Sequence, residues 1–193
     1  MALVKLVEIE TLTGKPLEIA ESGLAQYGQI LNTWKAIMNR PDMFATYLPF
    51  LRQVAGPGIL NQQTKDLCAL YVGALNNCRY TASHRAASGA KNGLSDDAMR
   101  DAVQENWSNF DEPTRFALEL TKQLTLNPTI VTYGALPQAV DSTVLQRIQQ
   151  LFSDEEIVDL VMTISVWNSI SRFHRVMGLD LDMPVAPEGI QPE

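Results

Sequence analysis

From residue 24 onward, apolar side chains recur along this chain at three- and four-residue steps. Leu24, Tyr27, Ile30, Leu31, Trp34, Ile37 and Met38 trace one stripe, which predicts a single amphipathic helix ended at Asn39-Arg40-Pro41. A second helix is expected from Asp42 to Val54, with a possible kink at Pro49, before Gly56-Pro57-Gly58 forces a turn. A third runs from Gln62 to Leu75. Asn76-Asn77 breaks it, and Asn77 is expected to cap a fourth, from Cys78 to Asn92. Ser95 can cap the next, which carries Met99 and Val103. Pro113 suits the first turn of a helix through Phe116, Leu120 and Leu124.

Asn127 to Pro137 reads as irregular. Ser153-Asp154-Glu155-Glu156 has the form of a capping box. The helix it opens is apolar nearly all round from Ile157 to Ile170, which predicts burial on several sides. Residues 1–20 mix β-branched and charged types around Gly14-Lys15-Pro16 and read as an extended arm or short strand. No strand pattern of useful length follows. The fold class is therefore all-α: an N-terminal arm over 1–20, one helical domain over 21–180, and a proline-bearing tail over 181–193 expected to pack as an extended arm or to fray.

Composition narrows the function. The 193 residues are 46% apolar and 19% charged, which suits one domain with a real core. A net charge of −7 argues against nucleic acid or an anionic membrane as the main partner. No apolar run approaches a membrane span, and Met1 to Leu6 makes a poor signal peptide, so a cytoplasmic protein is expected. Two cysteines give no disulfide framework. Two histidines without acids at ligand spacing give no metal site, and no glycine-rich phosphate loop is present, so no cofactor is expected.

The chemistry gathers in Asn76-Asn77-Cys78-Arg79-Tyr80-Thr81-Ala82-Ser83-His84. Cys78 is expected in the first turn of its helix, where orphan amides, the dipole and Arg79 favour a thiolate. Thr81 lies three residues on from Cys78, and His84 three further. One reading is an activated thiol beside a hydroxyl and an imidazole. The other is a buried small cysteine, an ordinary helical threonine and a surface histidine. Cys68, inside Leu67-Cys68-Ala69-Leu70, reads as core. Asp66 beside Lys65, taken alone, reads as a solvated face, and His174 as a partner for the end of the last helix. Trp34, Tyr71 or Trp167 are candidate pocket walls, though aromatics at helical spacing are more often core.

The string from Thr64 to Leu94, with the capped Ser153 helix ending in Asn168-Ser169-Ile170-Ser171-Arg172-Phe173, resembles the alkylhydroperoxidase D-like family within the carboxymuconolactone decarboxylase superfamily. The likeness covers roughly residues 40–180. Redox members show Glu-x11-Cys-x2-Cys-x3-His. In them the second cysteine attacks peroxide, the first resolves it, and Glu and His relay protons. Here Cys78 matches the first cysteine and Asp66 the acid. Thr81 stands at the second cysteine, Arg85 at the histidine, and His84 comes one residue early. Threonine forms neither sulfenic acid nor disulfide, so the two-thiol cycle is not expected.

The one-residue shift turns the imidazole about 100° round the helix, and Arg85 takes the thiol's face, able to fork onto a carboxylate. The decarboxylase branch lacks the cysteine pair and works by acid–base chemistry on a small acidic lactone. The resemblance implies a helical bundle and a homo-oligomer, trimeric or hexameric. It directs attention to His84, Cys78, Asp66 and Thr81 as catalytic candidates, and to Tyr80, Arg85 and Trp167 as substrate contacts. The expected activity is a lyase, decarboxylase, isomerase or hydrolase acting on a small organic molecule, neutral or anionic. The alternatives are a one-cysteine peroxidase using Cys78 and a non-catalytic descendant.

Overall fold

The computed structural model describes residues 2–126, 140 and 142–190, and over these it is all-α. The predicted irregular stretch from Asn127 to Pro137 lies outside the described residues. A short 3-10 turn, Ile9–Thr11, precedes α1 (Gly14–Tyr27), α2 (Asn32–Ile37), α3 (Pro41–Ala55), α4 (Gln62–Leu75), α5 (Arg79–Lys91) and α6 (Asp96–Val103). A second such turn at Trp107–Asn109 leads to α7 (Glu112–Leu126), α8 (Ser142–Leu151) and α9 (Asp154–Met177).

α4 is the central helix, packed by α5, α7 and α9, and every residue from Thr64 to Gly73 is buried. Leu67, Leu70, Tyr71 and Val72 each contribute roughly 1.5–3 kcal/mol by leaving water. Its start is fixed by Asn61, whose side chain accepts from the amides of Gln63 and Thr64. A second apolar cluster joins Leu12, Ile19, Leu31, Trp34, Phe44 and Leu48 from the N-terminal segment to α3.

Three expectations about the backbone need correction. The stripe from Leu24 to Met38 is two helices. Gly28 closes α1 in the left-handed region at φ 74°, and Leu31 is extended. The periodicity runs across the break because Ile30 and Leu31 face the same cluster as Trp34 and Met38. The extended arm is shorter than 1–20, since α1 begins at Gly14; Pro16 falls in its first turn, where no amide is needed. Asn77 is no cap: it adopts φ 50°, which asparagine tolerates, and Cys78 caps α5 in its place.

α9 is not buried all round. Val158, Val161, Met162 and Val176 are exposed in the single chain, while Leu160, Ile164, Trp167 and Ile170 face the core. The capping box at Ser153 forms as the sequence indicates. Pro49 lies within α3, which continues past it. The C-terminal tail packs back on the body: Ile190 and Ala186 are buried, and the Ser83 hydroxyl donates to the Pro184 carbonyl at 2.7 Å. No helix among the described residues is long and apolar enough to cross a membrane.

Candidate functional site

α5, α9, α2 and the tail meet around a cavity of about 410 Å³. Its wall includes His84, Arg85 and Tyr80 from α5, Trp167 and His174 from α9, and Thr33 and Trp34 from α2. Both polar residues left open by the helical shift therefore reach it. The reason is local: consecutive residues on a helix diverge by about 100°, and a cavity wide enough to span that angle takes both.

His84 Nε2 lies 2.5 Å from Asp182 Oδ1. Asp182 Oδ2 accepts from the Tyr80 hydroxyl at 2.9 Å and from the Asn32 amide. Burial opposes charge on Asp182 most strongly. The hydrogen bonds from His84, Asn32 and Tyr80 outweigh it and hold the carboxyl below the usual carboxylate range. Burial also pushes His84 below its ordinary value, against the pull of Asp182, and nearby Arg85 adds to the fall. The consistent state is a neutral imidazole donating Nε2–H to an ionised Asp182, with Nδ1 the basic nitrogen. Tyr80 stacks on His84 at 4.2 Å between ring centres; burial and then Asp182 raise the phenol well above its ordinary range, so it stays protonated.

Arg85 lies over the Trp167 ring at 4.2 Å, with Nη1 4.0 Å from Asp66 Oδ1. Asp66 is buried at 1% exposure rather than solvated, and Asn92 donates to it at 2.6 Å. The acid and histidine positions of the redox pattern thus hold a carboxylate and a guanidinium facing one another. Asp66 sits behind the cavity wall.

Cys78 and Thr81 also stand behind the wall. Cys78 is 2% exposed, and its Sγ accepts from the Thr81 amide at 3.5 Å and the Thr81 hydroxyl at 3.3 Å. His174 is no solvent-facing partner of a helix end. It is buried, with Nδ1 3.0 Å from Thr81 Oγ1 and Nε2 3.0 Å from Thr33 Oγ1. Burial, then the neighbouring His84, depress it to about 3. Ser171 donates to Thr81 Oγ1 at 3.0 Å. Cys68 is a fully buried thiol that burial pushes up to about 12, and both cysteines are free. Tyr71 is buried away from this cavity, donating to Glu105 at 2.8 Å.

Sequence reasoning missed Asp182, Thr33 and Ser171, and gave His174 the wrong setting. His174, one of two histidines in the chain, was the one with a usable signal. Asp182 and Thr33 carry none, because their roles come from segments about 100 and 50 residues away from the motif along the chain.

Residues 41–121 match the carboxymuconolactone decarboxylase family. A Bacillus subtilis (strain 168) protein, the uncharacterized YdfG, is 26% identical over 120 residues, covering 62% of this chain and 76% of that one. Among solved structures, the alkylhydroperoxidase AhpD core from Ralstonia eutropha JMP134, a peroxidase-related protein, superposes with a TM-score of 0.80 at 13% identity. It covers 100% of this chain and 98% of that one. The debrominase Bmp8 in complex with 2,3,4-tribromopyrrole superposes with a TM-score of 0.73 at 15% identity, over 98% and 97% of the two chains. Identities this low carry the fold and not the reaction. Over residues 41–121 this chain matches the carboxymuconolactone decarboxylase family, and its helical fold is that of alkylhydroperoxidase D-like proteins.

Proposed function

We propose that this protein is an acid–base enzyme, a lyase, decarboxylase, isomerase or hydrolase, acting on a small organic molecule that carries an anionic group. The observation that carries this reading is His84 on the cavity wall, next to Arg85, with Asp182 hydrogen-bonded to it from the tail. Asp182 accepts the hydrogen bond from Nε2–H and fixes the tautomer, so Nδ1 has its lone pair available. No other described residue hydrogen-bonds to it. A neutral imidazole at neutral pH is a ready base. Arg85, stacked on Trp167, offers a fork for a carboxylate, and the Tyr80 ring holds the imidazole plane. A cavity of about 410 Å³ suits a small ring or lactone.

The family contains enzymes of more than one kind, and one further observation favours a second reading. Cys78 stands at a helix N-terminus with the Thr81 amide and hydroxyl on its sulfur. In a one-cysteine hydroperoxide reductase that sulfur would take an oxygen atom and need an outside thiol to be reset.

One screen separates the two. Small lactones, halogenated or carboxylated rings and hydroperoxides are offered to wild type and His84→Ala, with and without added thiol. Acid–base chemistry predicts turnover without thiol that is lost in His84→Ala. Consumption of hydroperoxides alone, dependent on thiol and indifferent to His84, would sink the first reading and support the second.

A further inference from the structure

Cys78 has no part in the acid–base reading above, yet it is tied to the cavity by an unbroken series of hydrogen bonds. Cys78 Sγ to Thr81 Oγ1 is 3.3 Å, Thr81 Oγ1 to His174 Nδ1 is 3.0 Å, and His174 Nε2 to Thr33 Oγ1 is 3.0 Å. Thr33 and His174 line the cavity, whereas Cys78 and Thr81 do not. We infer that Thr81, His174 and Thr33 form a proton relay that lets the buried Cys78 thiol supply a proton to the cavity, making Cys78 the acid store that complements the His84 base. The complement rests on the acid–base reading; the relay itself does not.

The chain of bonds can exist in two states. In the first, the Thr81 hydroxyl proton is turned from Sγ to His174 Nδ1, so that Cys78 S–H donates to Thr81 Oγ1, Thr81 donates to His174 Nδ1, and His174 Nε2–H donates to Thr33 Oγ1. In the second, every proton has moved one step. The Thr33 hydroxyl proton passes to the substrate, the Nε2 proton to Thr33, the Thr81 proton to Nδ1, and the thiol proton to Thr81. Four bonds to hydrogen break and four form, and sulfur keeps the electron pair of its S–H bond. When product leaves, the proton that His84 removed returns to water, one proton re-enters the relay through Thr33, and the thiol is restored. No oxidant or reductant is consumed.

Three features suit this exchange. Thr81 Oγ1 accepts from Ser171 throughout, so in either state it accepts two hydrogen bonds and donates one. His174 gains a proton on one nitrogen as it loses one from the other, so it never becomes the imidazolium that its burial disfavours. The thiolate of the second state is met by the Thr81 amide and hydroxyl at the N-terminus of α5, which offset the cost of a buried charge. Cys68 differs in where its contacts lead: it is fully buried, and the Thr121 hydroxyl beside it bonds on to the Ala117 carbonyl within its own helix and not to the cavity.

The test is the exchange of S–H for S–D on moving the full-length protein into heavy water, followed by the S–H stretching band in the infrared. Cys78→Ala assigns the two bands, and Cys68 serves as the internal standard, able to exchange only when the core opens. The Cys78 band should exchange about tenfold or more faster than the Cys68 band. Thr81→Val should slow it to the Cys68 rate, Thr81→Ser should keep it fast, and His174→Gln should slow it. Equal rates for the two wild-type thiols, or a Cys78 rate untouched by both Thr81→Val and His174→Gln, would overturn the relay. If Thr81→Val does not fold, Thr81→Ser and His174→Gln carry the comparison. No substrate is involved, so this failure is separate from failure of the His84 assignment, which is read from turnover.

Discussion

His84 and Asp182 stand 98 residues apart in sequence, and their side chains meet at 2.5 Å. The pair exists because the tail folds back over α5, held by Ser83 to the carbonyls of Met183 and Pro184 and by Gln29 to the carbonyl of Asp182. A base on a rigid helix is thus oriented by a carboxylate on a strap.

That pairing has a kinetic consequence. His84→Ala should lower kcat by about 10²–10⁴, the usual worth of a positioned general acid–base group. Asp182→Asn should also lower kcat, with KM changed much less, because it disturbs the tautomer and not the cavity. Steady-state rates on the substrate found by the screen decide it; an unchanged kcat in Asp182→Asn would remove the carboxylate from the mechanism.

Acid should destabilise the fold through the same groups. His84 and His174 both titrate below their ordinary value when folded, so the unfolded chain binds their protons first as pH falls. Their contribution is complete above the unfolded value of about 6.5 and drains away as pH falls towards the folded values, about 3 for His174. Asp182, also lowered, acts in the same sense at more acid pH: its contribution is present above the unfolded carboxylate value and lost below it. Thermal melts should therefore shift downward from about pH 6.5, and His174→Gln should flatten the slope by up to about 1.4 kcal/mol per pH unit. Identical slopes for wild type and His174→Gln would contradict the buried neutral imidazole.

Asp66 and Arg85 should behave as a coupled pair. Arg85→Met leaves the Asp66 carboxylate buried with Asn92 as its remaining side-chain partner, and should cost about 3 kcal/mol, at the low end for breaking a buried pair. Asp66→Asn in that background should restore part of the loss. Urea unfolding of the two singles and the double gives the coupling. Strict additivity would mean that the 4.0 Å separation is too long to matter.

Gly73 sets how closely α4 approaches α5. A Cβ there would meet Thr81 Cγ2 at 2.9 Å and the Ala82 amide nitrogen at 3.1 Å. Gly73→Ala should cost about 1–3 kcal/mol by overpacking and should displace Thr81 from Cys78. Chemical denaturation measures the first effect and S–H exchange at Cys78 the second. A neutral Gly73→Ala would show that the two helices can part without cost.

The helices were legible because their signals are local. The caps at Ser95 and Ser153, the turn at Gly56-Pro57-Gly58 and the apolar spacing of α3, α4, α7 and α9 each act within a few residues, and the backbone obeys them. The stripe over Leu24 to Met38 misled for the same reason: spacing records which side faces the core and is indifferent to a left-handed glycine at Gly28. The motif from Cys78 to Arg85 was legible as a place and not as an arrangement. By itself the sequence determined the all-α class, the family likeness and the loss of a second thiol at Thr81. Only the tertiary structure decided that Asp182 from the tail orients His84, that Asp66 faces Arg85, and that His174 and Thr33 link Cys78 to the cavity. Hydrogen bonds and ion pairs at 2.5–4.0 Å depend on where distant segments come to rest, and no local pattern of residues encodes that distance.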